Sequence, residues 1–308
     1  MDNKQNELLL KQQQIFIEAI VRENFSEREI KFLSLLKIKV GDEEFSNFIN
    51  QSNIVENIGL PVHDEAQMTP LFFTLLNNYK KNAKYLIENG ANVEIVDEYG
   101  NNGFYYVLKN KGSNDDKIEL INLLEKNRCK IDSINIHGIT LLMHAIFTNT
   151  NEEIIRYIIN EKKADVNITE YQHGFTALMI AFQNNNIKIF VLLLLKSDIK
   201  IINKYGQNIL MSTINSEKFD VNHILEYVKE ILIVMVDTSI INTVDNSGWS
   251  ALMIAVNNGY DVIVDLLIEK GANIDIQSDD GYTPLMYAIE KKEKDKDKKF
   301  IQKLLKNL

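Results

Sequence analysis

Short apolar runs recur along most of the chain, and each is followed by a polar turn and a second apolar stretch. TALMIA at 176–181 returns 74 residues later as SALMIA at 250–255. A typical second stretch is VIVDLLIEKG at 262–271, whose apolar residues fall at helical spacing. The pattern therefore predicts repeated pairs of helices, a short apolar one and then an amphipathic one.

The apolar run is one member of a longer series. Five further copies are MTPLFFT at 68, NNGFYYV at 101, ITLLMHA at 139, QNILMST at 207 and YTPLMYA at 282. The glycines that precede the runs lie at spacings of 38, 36, 32, 42 and 33 residues: Gly100, Gly138, Gly174, Gly206, Gly248 and Gly281. A period of about 33 residues with insertions predicts a repeat architecture.

Each unit carries its own helix start and stop signals. A residue able to cap a helix N-terminus precedes every apolar run: Thr69, Asn102, Thr140, Thr176, Asn208, Ser250 and Thr283. Pro70 and Pro284 then occupy the first helical position, where proline is tolerated. Gly90 and Gly271 are placed to end the second helix in a left-handed conformation. The tail that follows, such as ANIDIQSDDG, ends in residues typical of a hairpin tip.

These motifs resemble the ankyrin repeat family. Its pattern G-x-T-P-L-H-x-A is matched best by GYTPLMYA, GWSALMIA and GFTALMIA, and its later pattern by LIEKGANIDI and LIENGANVEI. The resemblance implies an all-α solenoid in which each unit is a hairpin or turn followed by two antiparallel helices. We expect this array over 63–308, in about seven units that start near 67, 100, 138, 174, 206, 248 and 281.

The ends and the insertions depart from the repeat. Residues 1–62 are predicted to form a helical cap, with helices over NELLLKQQQIFIEAIVREN and SEREIKFLSLLKIKV, and a separate helical module is the alternative. Extra residues are expected between the two helices of a unit, around 111–116, around the long outer helix FDVNHILEYVKEILIVMV, and within 290–299. All three insertions are expected to project from the edge opposite the hairpin tips. The Lys-rich KKFIQKLLKNL suits the polar end of an array.

Charge and composition narrow the function classes. The net charge of −9, with only four arginines among 34 basic residues, argues against nucleic acid as a partner. The opening MDNKQNELLLKQQQ lacks the features of a secretory signal, and no apolar stretch is long enough to span a membrane. The single Cys129 fits a reducing compartment or a fold that needs no disulfide bonds. We therefore expect a cytoplasmic monomer, with delivery into a host cell as the alternative location.

Catalytic and metal-binding patterns are missing from the sequence. None of the five histidines has a partner at metal-ligand spacing, and no phosphate loop or nucleophile elbow is present. Methionine stands where the family has histidine in five units: Met143, Met179, Met211, Met253 and Met286. We interpret this row as filler between inner helices and not as a copper site. We expect no cofactor, no metal and no enzymatic activity.

The resemblance implies that partners dock on the concave side, which hairpin tips and inner helices form. Positions carried over include the residues after the glycines, namely Asn101, Ile139, Phe175, Gln207, Trp249 and Tyr282. Tip residues before the glycines are Tyr99, His137, His173, Tyr205, Ser247 and Asp280. Inner-helix positions facing the same side are Lys109, Phe147, Gln183, Asn215, Asn257 and Glu290.

Aromatic residues are the strongest candidates among these positions because they bury a large area with few rotatable bonds. The expected partner-binding residues are Tyr99, His137, Phe147, Phe175, Tyr205, Trp249 and Tyr282. A surface-exposed Trp249 between Tyr205 and Tyr282 is the expected hot spot, and its packing on neighbouring hairpins is the alternative. The sequence thus predicts a non-catalytic protein-binding scaffold, and an effector whose activity lies in residues 1–62 is the second hypothesis.

Overall fold

Short helices in antiparallel pairs form the protein in the computed structural model, which describes residues 69–88, 91–235 and 240–292. The first helix of each pair is called the inner helix and the second the outer helix. The pairs are α1 (Pro70–Leu76) with α2 (Lys80–Glu88), α3 (Gly103–Lys109) with α4 (Asn114–Lys126), α5 (Leu141–Phe147) with α6 (Glu152–Asn160), α7 (Ala177–Gln183) with α8 (Ile187–Leu194), α9 (Ile209–Ile214) with α10 (Val221–Val234) and α11 (Ala251–Asn258) with α12 (Asp261–Glu269). A last inner helix, α13, spans Pro284–Lys292. The predicted all-α repeat fold is confirmed.

The chain divides into two compact units, 1–136 and 137–308. Unit 1 contains α1–α4, and unit 2 contains α5–α13. Within each unit the inner helices contact the inner helices of neighbouring repeats, and the outer helices contact outer helices. The core lies between the two rows, where the apolar runs of α3, α5, α7, α9 and α11 are almost wholly buried.

Seven capping side chains start the inner helices, as the sequence predicts. Each accepts a hydrogen bond from a backbone N–H in the first helical turn, as Thr140 does from Met143 at 3.2 Å and Asn208 from Met211 at 3.0 Å. The others are Thr69, Asn102, Thr176, Ser250 and Thr283. These bonds satisfy N–H groups that a helix start leaves without a partner. Gly271 ends α12 with φ of 87°, also as predicted.

The hairpin tips turn at the repeat glycines. All six have φ between 74° and 77°, a conformation that a residue with a Cβ adopts only at a cost. In unit 2 the tips are also joined to one another by backbone hydrogen bonds. Lys204 N–H donates to the carbonyl of His173 at 2.8 Å, and Asn246 N–H donates to that of Tyr205 at 3.1 Å. The tips of successive repeats are therefore held in a fixed register.

Replacing Gly248 by alanine is expected to destabilise unit 2 more than the same change at Gly281. Both glycines have positive φ, so both changes incur a cost of about 1–2 kcal/mol. At Gly248 the new Cβ would also lie 2.6 Å from the backbone nitrogen of Asp279, whereas at Gly281 it would meet nothing within 4 Å. Urea unfolding of the two variants measures the difference. Equal losses would contradict the close approach between these tips.

An asparagine side chain at the C-terminal end of α3, α7 and α11 makes a hydrogen bond to the preceding repeat. Asn184 Nδ2 donates to the carbonyl of Ile146 at 2.5 Å, and Asn258 Nδ2 donates to that of Ile214 at 3.1 Å. In unit 1, Asn110 makes the equivalent bond to Leu75 at 3.1 Å. Because each bond satisfies a helix-end carbonyl, it fixes where the neighbouring inner helix ends.

Two expectations are corrected. Of the extra residues near 111–116, those up to Ser113 lie between α3 and α4 as expected, but 114–116 form the first turn of the 13-residue outer helix α4, which Ser113 caps. Met143, Met179, Met211 and Met253 are buried as predicted, but Met286 is 47% exposed. Met286 lies on α13, the last inner helix among the described residues, so filler between inner helices is the wrong description there.

Several predictions fall outside the described residues. They concern the helical cap over 1–62, the left-handed Gly90, the extension over 293–299 and the final KKFIQKLLKNL. The boundary between a cap and an array near residue 62 stays a prediction.

Candidate protein-binding groove

A groove of about 580 Å³ opens in unit 2 between the hairpin tips and the inner helices. Its tip side is formed by three consecutive repeats, represented by Phe175, Tyr205 and Ser247. Its helix side is formed by the last residue of α7, Gln183, and by the end of α9 at Asn215. These residues come from the positions that the family resemblance implies, and we call this feature the groove.

Three rings form the aromatic rim of the groove. The His173 ring lies roughly parallel to Phe175, with 5.2 Å between centroids, and to Tyr205, with 6.2 Å. His173 Nδ1 is 3.1 Å from the Tyr205 hydroxyl. This contact joins the tips of two successive repeats and leaves Tyr205 52% exposed. The rim therefore offers a preorganised apolar surface beside a polar groove.

The buried carboxylate of Glu170 holds the backbone that carries two rings of this rim. Glu170 accepts hydrogen bonds from the backbone N–H groups of Gln172, His173 and Phe175 at 2.6, 2.7 and 3.0 Å. Burial alone would raise the pKa of Glu170, but the three N–H donors outweigh it and hold the pKa below its usual range. The carboxylate thus stays ionised at neutral pH and fixes the backbone that carries two of the three rings.

The depressed pKa of Glu170 makes a pH-dependent contribution to stability. We expect this contribution to be complete above the pKa of an unfolded glutamate, about 4.3, and to be lost as pH falls through the lower folded value. Replacement by glutamine should cost on the order of 1 kcal/mol at neutral pH and should flatten the acid side of the profile. Urea unfolding from about pH 3 to pH 7 measures both. A variant with the unchanged acid slope would contradict this role.

The rest of the groove is polar and carries both signs of charge. Ser212 and Ser216 add hydroxyls near α9, and Glu217 and Lys218 follow in the turn to α10. The Lys218 ammonium donates to the carbonyl of Gln183, which ties that turn to the end of α7. On the tip side, Asp245 Oδ1 accepts backbone N–H groups from its own hairpin. Such a surface suits a partner that presents hydrogen-bonding groups.

Trp249 and Tyr282 form a second aromatic cluster, outside the groove lining. The Trp249 ring packs on Tyr287 of α13, 4.5 Å between centroids, and Tyr282 lies 5.1 Å from the same ring. Trp249 is half-buried, so it is less exposed than expected. Its ring contact with Tyr287 joins it to the inner helix of the next repeat, and its packing on neighbouring hairpins stays a prediction.

The remaining predicted residues are not gathered in the groove. Phe147 is 71% exposed at the end of α5, and His137 is exposed at the first tip of unit 2. Tyr99 belongs to unit 1, where it is 50% exposed and its carbonyl accepts the Ile136 N–H at 3.0 Å. Of the seven predicted residues, the structure brings Phe175 and Tyr205 together.

Two positions carried over from the family are largely buried. Asn101 donates to Asp97 and accepts from Asn135, both at 3.0 Å, so its side chain belongs to the hairpin interior. Gln207 is 9% exposed and lies near Asn203, although one edge of it reaches the groove lining. Asn101 is therefore held within its hairpin, whereas Gln207 reaches the groove that the family position implies.

Metal binding, membrane spanning and thiol reactivity find little support within the residues that the structure describes. Over 69–88, 91–235 and 240–292, no three His, Cys, Asp or Glu side chains are grouped so as to hold a metal ion. Within those ranges no helix has the length and apolar character to cross a membrane. Cys129 is buried, and burial raises the pKa of its thiol to about 12. The thiol is therefore not poised for nucleophilic chemistry.

Comparisons with known proteins agree with this architecture. Residues 106–205 and 219–307 match the family described as ankyrin repeats (3 copies). The Nuclear factor NF-kappa-B p105 subunit of Gallus gallus is 27% identical over 158 residues, which is 51% of this chain and 14% of that protein. The B-cell lymphoma 3 protein homolog of Mus musculus is 22% identical over 227 residues, 74% of this chain and 41% of that protein. The chain thus spans less than half the length of these relatives.

A solved structure shows the same fold. The ankyrin repeat domain of Bcl-3 superposes with a TM-score of 0.60 at 20% identity, covering 77% of this chain and 98% of that chain. At this identity the likeness concerns the fold and not the partner.

Proposed function

This chain belongs to the ankyrin repeat family, and from that premise we propose that it is a non-catalytic, cytoplasmic adaptor that binds a partner protein in the groove of unit 2. The observation that carries the proposal is the groove itself. Its rim is a preorganised stack of three aromatic rings, and its wall combines the tips of three repeats with the ends of two inner helices. Aromatic residues fixed beside polar groups are common anchors of protein interfaces.

The preorganisation of the rim supports binding over a purely structural role. Tyr205 keeps half of its surface exposed although its hydroxyl contacts the His173 ring, and Glu170 holds the backbone of His173. A side chain ordered before binding loses little conformational entropy when a partner covers it. The proposal of a cytoplasmic location is supported by the single cysteine, which needs no oxidising compartment.

Co-purification from the native cell tests the function. The tagged full chain, the groove variant Phe175→Ala/Tyr205→Ala and the outer-helix variant Leu195→Ala/Ile233→Ala are compared by quantitative mass spectrometry. Leu195 and Ile233 are 69% and 72% exposed, so this control removes similar apolar surface from the outer side. We expect a partner that the groove variant loses and the control retains. Partners retained equally by all three proteins would overturn the proposal.

A further inference from the structure

One position of the repeat carries side-chain amides in three successive units. The residue seven places after the helix cap is Gln183, Asn215 and Asn257 in the repeats of α7, α9 and α11. The same position is Phe147 in the preceding repeat of unit 2 and Glu290 in the following one. The first two amides line the groove, and the third occupies the equivalent site on the next inner helix.

These three amides have hydrogen-bonding capacity to spare. Asn215 and Asn257 are exposed and Gln183 is partly exposed, and none of their side chains makes a hydrogen bond within the described residues. The adjacent Asn184 and Asn258 differ, because their amides are used on carbonyls of the preceding repeat. The chain therefore places a structural amide and an unpaired amide side by side at the ends of α7 and α11.

The spacing expected for the unpaired amides matches a polyproline II segment. Packed helices lie about 8–10 Å apart, and a polyproline II chain has about three residues per turn and advances about 3.1 Å per residue. Every third residue of such a chain therefore presents its backbone groups on the same side, about one repeat apart. Each carboxamide has an N–H donor and a carbonyl acceptor, the same pair of groups that a peptide unit presents.

We propose that Gln183, Asn215 and Asn257 hold the main chain of a partner segment in the polyproline II conformation, so that successive repeats bind every third residue of the segment. This inference rests on the proposed function and specifies the form of the partner. The residues at the two ends of the row differ in character, so each end favours a different kind of partner residue. Phe147, 71% exposed, favours an apolar partner residue at one end, and the Glu290 carboxylate favours a basic residue at the other.

A peptide selection tests this form of recognition. Random peptides of about twelve residues, long enough to span four repeats, are displayed on phage and selected on the full chain. The best binder is synthesised with a single backbone N-methyl group at each position in turn, which removes one N–H donor. We expect a loss of about tenfold or more at every third residue and small changes between. Uniform tolerance of N-methylation, or a library that yields no binder, would overturn the inference.

A matched pair of double variants provides a second test of the inference. Asn215→Ala/Asn257→Ala removes two exposed amides from inner helices, and Asn160→Ala/Asn222→Ala removes two from outer helices α6 and α10. We expect the first to weaken peptide binding by about tenfold and the second to leave it unchanged, with equal melting temperatures. Equal affinity of both variants would contradict the role of the amides.

Failure of this inference can be told apart from failure of the proposed function. A co-purified partner that depends on Phe175 and Tyr205 but binds Asn215→Ala/Asn257→Ala at full affinity leaves the adaptor function intact and excludes main-chain recognition by these amides. A partner that ignores both sets of changes overturns both proposals.

Discussion

Replacing Tyr227 by alanine is expected to lower the free energy of unfolding by about 3–5 kcal/mol. Tyr227 lies on the outer helix α10, is fully buried and is the largest fully buried side chain among the described residues. Its ring meets Phe182 and Phe190 edge to face, with centroids 5.0 and 4.8 Å apart. Alanine would leave a cavity between two repeats, where each repeat depends on its neighbour for a buried surface.

Replacing Tyr227 by phenylalanine separates the contribution of the ring packing from that of the hydroxyl hydrogen bond. The Tyr227 hydroxyl donates to Asn185 Oδ1 at 3.1 Å, and burial raises the pKa of this hydroxyl to about 12, so it stays protonated at neutral pH. Tyr227→Phe loses this hydrogen bond alone, for about 1 kcal/mol. Chemical denaturation compares the variants. A loss for alanine no larger than that for phenylalanine would show that the ring cluster does not hold these repeats together.

The groove variant Phe175→Ala/Tyr205→Ala is expected to weaken binding of the co-purified partner by about 30-fold or more, equivalent to about 2 kcal/mol. Both rings stack against His173 on the rim. The change therefore removes two anchors together with the stacking contacts that order them. Titration calorimetry with purified partner measures the affinity. Circular dichroism checks that unit 2 stays folded, since the tip backbone keeps its bonds to Glu170 and Asn203.

The control for this prediction removes comparable apolar surface elsewhere. Leu195→Ala/Ile233→Ala changes two exposed side chains on the outer side of unit 2, where substitutions usually alter stability by less than about 0.5 kcal/mol. We expect its affinity for the partner to equal that of the unchanged protein. If this control weakened binding as much as the groove variant, the partner would have to contact the outer helices instead.

Local chemistry explains why much of the fold is readable from the sequence. The cap residues, the prolines at the first helical position and the tip glycines each act on a few neighbouring residues, so their effect does not depend on the distant fold. All seven predicted caps form, and all six tip glycines have positive φ. The start of α4 was also readable, because Ser113 and Asp116 have capping-box spacing within the stretch interpreted as an insertion.

The aromatic contacts were not readable in the same way. Trp249 packs on Tyr287 and His173 stacks on Tyr205, and each of these contacts joins side chains from two repeats. Which ring meets which depends on the register between repeats, and the inserted residues change the spacing of each unit. The repeat position alone therefore identified the face of Trp249 but not its burial.

The role of Glu170 in holding the rim could not be predicted from the sequence for a similar reason. Glu170 stands where other tips have Asp97, Asn203 or Asp245, and all of these side chains accept N–H groups of their own hairpin. In a sequence such residues look like ordinary polar turn residues. Their role becomes visible only when the three donors to one carboxylate are seen together.

Amide hydrogen exchange of the full chain, with and without its co-purified partner, tests the central claim most directly. Our account predicts that the partner slows exchange at the tips over 171–175, 203–207 and 245–249 and at the helix ends over 183–186 and 214–218. Protection confined to the outer helices α8, α10 and α12, with the tips exchanging as before, would contradict binding in the groove.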